Sequence, residues 1–231
     1  MRVRALVCLA LAAGAGAAHA RTPFQARCED AAGRAGTTVA TRDAGYRIDN
    51  SLSWRSLTAM KRSAVQGGLV LGLTRTESRV AIRVDGAVLQ DAGSGHECLM
   101  PRVDITLYYP PIVVYVGSEF APGSCAYREI LAHEMRHLKT YLDWLPKVEE
   151  RIRARLAPRY TGKPLYARAG QGRALLQRDI DASWMPFIKA EMLRVEPLQA
   201  AIDSPREYAR LSKICQGELQ SIIGSARRPR S

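Results

Sequence analysis

Residues 124–145 read SCAYREILAHEMRHLKTYLDWL and contain the pattern His-Glu-x-x-His, formed by His133, Glu134 and His137. In an α-helix, side chains four residues apart are neighbours on one face, so both imidazoles can bind the same metal ion. Glu134 is one step round the helix, beside the place where a catalytic metal keeps a coordination position open. The stretch therefore predicts a two-histidine metal site on a helix, with a carboxylate next to it.

The residues around the pattern predict an amphipathic helix. Apolar side chains fall on two neighbouring lines at helical spacing that also carry both histidines and Glu134, whereas a third line is mostly charged. Ser124 is a suitable N-cap, and Pro146 is expected to end the helix. The histidines and the carboxylate are therefore expected to face the protein interior, where polar groups need partners.

A β-branched run at residues 111–118 precedes this helix, ends in a Gly/Pro-rich loop and predicts a strand. With this order of strand, loop and helix, residues 108–145 resemble the zincins, the HExxH zinc metallopeptidases. The resemblance implies a Zn2+ cofactor bound by His133 and His137. It also implies hydrolysis of peptide or protein substrates by a metal-activated water, with Glu134 as the general base.

The same resemblance implies two further features of a peptidase. An oxyanion should be stabilised by a Tyr, His or Arg side chain, for which Tyr141 and Tyr208 are candidates by residue type. An extended substrate is expected to pair with the strand near Tyr115.

Two further classes of protein remain open. One is an exported metal-binding or envelope-binding protein without hydrolytic activity, in which Glu134 has a structural role beside the metal. The second has no metal and is a disulfide-stabilised basic protein that binds an acidic partner.

A zincin-like site needs a third protein ligand, which the sequence does not identify. Asp143 stands where the last metzincin ligand would be, but Thr140 replaces the glycine at which that family's chain turns. An ion pair between Lys139 and Asp143 is the simpler interpretation. Glu191 is a candidate because it shares a helical line with apolar residues, although Pro186 interrupts that helical pattern. Further candidates by residue type are Glu149, Glu150, Asp179, Asp181, Glu207 and His96.

The first twenty residues predict export. Arg2 and Arg4 precede a short apolar run that ends in Ala-His-Ala at residues 18–20, which is typical of a secretory signal peptide cleaved after Ala20. The apolar run is too short for an ordinary membrane span. Residues 21–231 are therefore expected to be secreted or periplasmic.

The charge of the chain is strongly positive. Its formal net charge is +12, and removal of Arg2 and Arg4 with the signal peptide leaves +10. Such a charge favours contact with anionic envelope surfaces or acidic substrates. The arginines are scattered along the chain, not gathered with aromatic residues into a stripe, so specific binding of nucleic acid is not expected. The oligomeric state is not predicted.

Four cysteines remain after Cys8 is removed with the signal peptide: Cys28, Cys98, Cys125 and Cys215. An even number in an exported chain indicates two disulfides, with three possible pairings. The favoured pairing joins Cys125 to Cys215 and Cys28 to Cys98, which would attach the start of the metal helix to a distant segment. A free thiol at Cys125, activated at a helix N-terminus, is the alternative.

Residues 21–231 predict one zincin-like α+β domain, with a strand-rich first half whose sheet packs on the active-site helix and a helical second half. Strands are predicted at residues 37–48, 69–74, 80–84, 87–90, 103–109 and 111–118, and the Asp85-Gly86 pair indicates a hairpin turn. Helices are predicted at residues 54–66, 124–145, 147–156, 170–195 and 203–223, the last one starting at Asp203-Ser204-Pro205.

Overall fold

A computed structural model describes residues 21–61 and 69–227 and shows a mixed α+β protein with two sheets. The predicted signal peptide and residues 62–66 of the predicted first helix lie outside the described residues. The strands are β1 (Gly36–Arg42), β2 (Tyr46–Asp49), β3 (Gly72–Arg75), β4 (Arg79–Asp91), β5 (His96–Tyr108), β6 (Ile112–Val116) and β7 (Leu165–Arg168). The α-helices are α1 (Pro23–Ala31), α2 (Trp54–Met60), α3 (Cys125–Tyr160), α4 (Gly172–Asp179), α5 (Met185–Leu193), α6 (Glu196–Ile202), α7 (Pro205–Leu211) and α8 (Glu218–Arg227).

The larger sheet is built on β5, which pairs with β1 in parallel and with β4 and β7 in antiparallel. The predicted hairpin turn at Asp85 and Gly86 is wrong, because β4 runs through both residues and turns into β5 only between Asp91 and His96. Gly86 instead allows β4 and β5 to approach each other closely. A Cβ at this position would lie 2.2 Å from the carbonyl oxygen of Met100, and its φ of +147° is one that other residues rarely adopt.

The smaller sheet has the order β2-β6-β3. Its central strand β6 is parallel to β2 and antiparallel to β3, so both edges of β6 are occupied. The predicted pairing of a substrate near Tyr115, a residue of β6, is therefore not possible in this sheet. Both β2 and β3 are edge strands of this sheet. Strand β3 lies against α3, since the hydroxyl of Thr74 donates to the backbone oxygen of Glu134 over 2.9 Å.

Helix α3 is 36 residues long and contains the His-Glu-x-x-His pattern. It begins as predicted at the N-cap Ser124, whose hydroxyl accepts a hydrogen bond from the third backbone N–H. The prediction that Pro146 ends the helix is wrong, and the predicted helix at residues 147–156 belongs to the same element. Buried side chains on both sides of the proline, such as Leu145 and Val148, pack into the main core. Their burial offsets the cost of about 3 kcal/mol for a proline inside a helix.

The C-terminal helices partly follow the predictions. Between residues 170 and 195 the chain is helical almost throughout, with one π-helical stretch at Ile180–Trp184 before Pro186. Such a wider turn accommodates a residue that cannot donate a backbone hydrogen bond. A helix starts at Asp203-Ser204-Pro205 as predicted, and the hydroxyl of Ser204 caps it by accepting from the N–H of Glu207. The predicted single helix is two separate helices, α7 and α8.

The two disulfides join Cys28 to Cys98 and Cys125 to Cys215, which confirms the favoured pairing. The second one attaches the first turn of α3 to the segment that leads into α8, so Cys125 is not a free thiol. Two disulfides indicate an oxidising compartment, either extracellular or periplasmic. In the part of the chain that the structure describes, no helix combines the length and the apolar character needed to cross a membrane.

Candidate metal centre

Three side chains from distant parts of the chain meet at one point. His133 and His137 come from neighbouring turns of α3, and Asp203 comes from the link between α6 and α7. The Nε2 atoms of the two histidines are 3.3 Å apart, and Oδ1 of Asp203 lies 3.1 Å from the first and 3.2 Å from the second. Both imidazoles are buried, as the amphipathic pattern of the helix predicts.

The spacing of these three atoms fits a metal ion. Zinc bound tetrahedrally at about 2.0–2.1 Å from nitrogen and oxygen ligands keeps those ligand atoms about 3.3 Å apart. The observed triangle has edges of 3.1 to 3.3 Å. The buried His-His-Asp group can therefore bind a metal ion. The other close group in the described residues contains Cys125 and Cys215, whose sulfurs are bonded to each other.

Hydrogen bonds from α6 orient His137. The side-chain amide of Gln199 donates through Nε2 to the backbone oxygen of His137, which leaves its Oε1 facing Nδ1 of the same histidine at 2.6 Å. An oxygen can only accept there, so Nδ1 carries the proton. Nε2, which faces Asp203, can then donate a hydrogen bond to this carboxylate when it is protonated or bind a metal ion when it is neutral.

His133 contacts α7 in a similar way. Its Nδ1 lies 3.4 Å from Oε1 of Glu207 and 2.9 Å from a guanidinium nitrogen of Arg136, which also bonds to Glu207. A hydrogen bond from Arg210 and a further one from Arg136 lower the pKa of Glu207 to about 2. This charged carboxylate holds α7 against α3, so Asp203, two residues before α7, is held beside the histidines.

Asp203 is ionised. Burial alone would raise its pKa, but hydrogen bonds from His133, His137 and Lys61 hold the pKa well below the usual range of a carboxyl. The ammonium of Lys61 lies 2.9 Å from Oδ2, the oxygen that does not face the histidines. Tyr208 stands next to this cluster, with its ring centroid 6.5 Å from that of His133.

Glu134 lies beside the triangle and is only 5% exposed. Burial raises the pKa of its carboxyl, and the nearby histidines and the hydroxyl of Thr74 offset part of that rise. The hydroxyl oxygen of Thr74 is 2.9 Å from Oε2 of Glu134. Gly72, the first residue of β3, leaves room for the carboxylate, because a Cβ there would lie 2.8 Å from Oε1.

Glu191, a candidate for the third ligand, is not among the residues that meet at this point. Glu191 is buried, as its apolar line predicts, but its two carboxylate oxygens each lie 3.2 Å from an arginine, Arg151 and Arg194. Asp203 takes the place beside the histidines instead. The rejection of Asp143 agrees with the structure, where its carboxylate pairs with Lys139 at 2.7 Å.

Of the further ligand candidates, Glu207 alone lies beside a histidine of the cluster, and it contacts Nδ1 of His133, not Nε2. His96 is exposed and contacts the backbone oxygen of Ser94, and Glu150 is exposed on α3. The three carboxylates that remain bond to side chains away from the cluster: Glu149 to Arg153, Asp179 to Arg159 and Asp181 to Gln177.

Sequence reasoning missed Asp203, Gln199 and Lys61. The only signal for Asp203 was its position before the Ser-Pro start of α7, which predicts where a helix begins but not what the aspartate faces. A spacing of four residues separates Gln199, Asp203 and Glu207. These residues do not form one helical face, because α6 and α7 are separate helices.

A cleft runs along β3 on both sides of the metal centre. On one side, a cavity of 260 Å³ reaches His133, Glu134 and Asp203 and is otherwise mostly apolar, with Ile130 and Leu219 among its walls. On the other side, a cavity of 250 Å³ is more polar; it is lined by Thr74, Tyr141, Glu196 and Gln199 and reaches Glu134 and His137. Both cavities therefore open onto the same three-atom cluster.

Comparisons with protein-family models, with curated proteins and with solved structures find no match to this chain. What the site can do chemically follows from its own residues: two histidines and an ionised aspartate converge on one point, and the buried carboxylate of Glu134 lies beside them.

Proposed function

We propose that the protein is an exported zinc-dependent metallopeptidase in which His133, His137 and Asp203 hold the metal and Glu134 is the general base. The convergence of three ligand atoms at 3.1 to 3.3 Å is the observation that carries this proposal. Two nitrogens and one carboxylate oxygen from the protein, with a cleft on the remaining side, are a donor set typical of catalytic zinc. The predicted signal peptide agrees with the oxidising compartment that the disulfides indicate.

A zinc ion held by these residues supplies Lewis acidity and a water molecule of lowered pKa. Among the described residues, Glu134 is the only carboxylate besides Asp203 that borders both cavities. It accepts the proton of the attacking water and returns it to the leaving amine. The hydroxyl of Thr74 holds one carboxylate oxygen, Oε2, in place for both transfers.

An extended peptide would bind along β3. Among the described residues β3 pairs only with β6, so the backbone groups of its outer edge are open to an added strand. The first and third residues of β3, Gly72 and Thr74, both contact Glu134, which places the added strand beside the proposed base. The apolar cavity next to His133 would receive a side chain of the peptide. A helix beneath a sheet, with one edge strand beside the proposed metal, supports the zincin-like arrangement that this proposal requires.

Tyr208 is the better of the two predicted oxyanion donors. Its side chain is partly exposed in the apolar cavity, and burial and the neighbouring Asp203 raise the pKa of its hydroxyl to about 12, so the proton is retained for donation. Tyr141 borders the second cavity, but its ring packs against Tyr109 with centroids 4.9 Å apart.

The test is a Glu134→Gln variant assayed for zinc content and for cleavage of a peptide mixture by mass spectrometry. We expect zinc to be retained and the cleavage rate to fall by about 10²- to 10⁴-fold, the usual contribution of a general base. Glu191→Gln is the matched control, because it changes another buried glutamate away from the metal. Zinc binding without cleavage by the wild type would support the metal-binding protein without hydrolytic activity.

A further inference from the structure

The two carboxylate oxygens of Asp203 have different partners. Oδ1 faces the Nε2 atoms of both histidines, whereas Oδ2 lies 2.9 Å from the ammonium of Lys61. Lys61 is the C-cap of α2, and 142 positions separate it from Asp203 along the chain. Both side chains are largely buried, with 29% of the lysine and 22% of the aspartate exposed.

This division of the carboxylate restricts how it can bind a cation. An oxygen that accepts a charge-assisted hydrogen bond from an ammonium is oriented toward that cation and donates less electron density to a second one. Oδ1 is therefore the stronger of the two oxygens of Asp203 as a ligand for the ion. Zinc is satisfied by four ligands, but Mn2+ and Ca2+ favour more oxygen ligands and frequently take both oxygens of a carboxylate.

We propose that Lys61 is a positioning residue of the metal centre. By holding Oδ2 it limits Asp203 to one ligand atom, and so it selects a four-coordinate ion of the zinc type over ions that favour more oxygen ligands. This inference rests on the metal centre of the proposed function. It adds a reason why that centre selects zinc.

A purely electrostatic role for Lys61 makes a different prediction. A positive charge close to a bound dication weakens its binding, so removal of that charge alone would tighten the binding of every divalent ion to a similar degree. A positioning role instead predicts a change in coordination number and in the preference among ions. Partners that orient a metal ligand commonly contribute about 10- to 100-fold to affinity.

The experiment compares three variants of the full oxidised mature protein. Lys61→Met keeps the length of the side chain without its charge, and Lys61→Arg keeps a charged donor. Lys139→Met is the matched control, because it removes a lysine from another Lys–Asp pair that is exposed on the solvent side of α3. The readouts are the visible absorption of the Co2+-loaded protein, which reports coordination number, and chelator-competition affinities for Zn2+ and Mn2+.

We expect the wild type, Lys61→Arg and Lys139→Met to give the intense spectrum of four-coordinate Co2+. For Lys61→Met we expect the weaker spectrum of a higher coordination number, and a preference for Zn2+ over Mn2+ that is reduced by about ten-fold or more. Circular dichroism verifies that each variant is folded. If Lys61→Met does not fold, Lys61→Gln takes its place with the same expectation.

An unchanged spectrum and an unchanged Zn2+/Mn2+ ratio in folded Lys61→Met would overturn the inference while leaving the metal centre intact. Equal tightening of both ions would overturn it too, in favour of the electrostatic role. A wild type that binds neither Zn2+ nor Co2+ would instead refute the proposed function, and this inference with it.

Discussion

Two acidic residues of the C-terminal helices, Glu191 and Asp203, differ in ways that their sequence context does not reveal. Glu191 is the more buried, lies on an apolar line of α5, and is neutralised by two arginines. Asp203 is partly exposed at the end of α6 and faces two imidazoles and one lysine. The comparison shows that the partners of a carboxylate distinguish a candidate metal ligand from a member of an ion pair, whereas burial alone does not.

The largest expected effect is a loss of zinc affinity when Asp203, but not Glu191, is replaced. Structural zinc sites contribute about 10–16 kcal/mol in total, so loss of one of three protein ligands, about 3–5 kcal/mol, should weaken zinc binding by about 10²- to 10⁴-fold. We expect this for Asp203→Ala, and we expect Glu191→Ala to bind zinc like the wild type. Titration with a chromophoric chelator measures both. An equal loss of zinc affinity in Asp203→Ala and Glu191→Ala would show that Asp203 is no more a metal ligand than Glu191 is.

A third carboxylate, Glu134, sharpens the comparison, because its proposed role is in proton transfer and not in binding. In Gly72→Ala the new Cβ would lie 2.6 Å from Cγ2 of Ile130 and 2.8 Å from Oε1 of Glu134, so both side chains must shift. A displacement of about 1 Å at a reacting group can lower a rate about 100-fold. We expect that loss in peptide cleavage, at unchanged zinc affinity.

The control for Gly72→Ala is Gly36→Ala, which also changes the first residue of a strand but adds a Cβ that meets nothing within 4 Å. It should cleave peptides at the wild-type rate. Full activity of Gly72→Ala would show that the position of Glu134 does not matter.

The hydrogen bond that orients His137 is expected to have a smaller effect. Gln199→Ala removes the partner of Nδ1, and such losses lower zinc affinity by about 10- to 100-fold. Gln177→Ala, which removes an exposed glutamine bonded to Asp181, should leave zinc affinity unchanged. Competition titration distinguishes the two. Similar affinities in both variants would mean that the orientation of His137 needs no support from α6.

The smallest expected effect is on Glu191, the residue of the compared pair that has a structural role. Glu191→Gln weakens two ion pairs whose arginines are largely exposed, so the free energy of unfolding should fall by about 1 kcal/mol. Urea unfolding of the zinc-loaded protein measures it. A loss of zinc from this variant, even a partial one, would contradict a purely structural role for Glu191.

Local patterns predicted much of this fold and about half of its site. The helical spacing of apolar residues predicts that His133, Glu134 and His137 face inward, and Ser124 caps the helix as its type suggests. These features depend on neighbours within a turn or two. The favoured disulfide pairing is also confirmed, although no local pattern selects it from the three possible pairings.

The failures share a physical cause, because tertiary contacts override a local signal. Pro146 would end an isolated helix, but core packing on both sides continues it. The Asp85-Gly86 pair would turn an isolated hairpin, but the full length of β4 pairs with β5. Asp203 is 66 and 70 positions from the histidines that it contacts, and no local periodicity carries that information.

The most direct test is an anomalous difference map at the zinc absorption edge, from a crystal of the oxidised mature protein with one equivalent of zinc. We expect one strong peak within bonding distance of Nε2 of His133, Nε2 of His137 and Oδ1 of Asp203. A peak elsewhere, or no peak at these three atoms, would contradict the proposed metal centre.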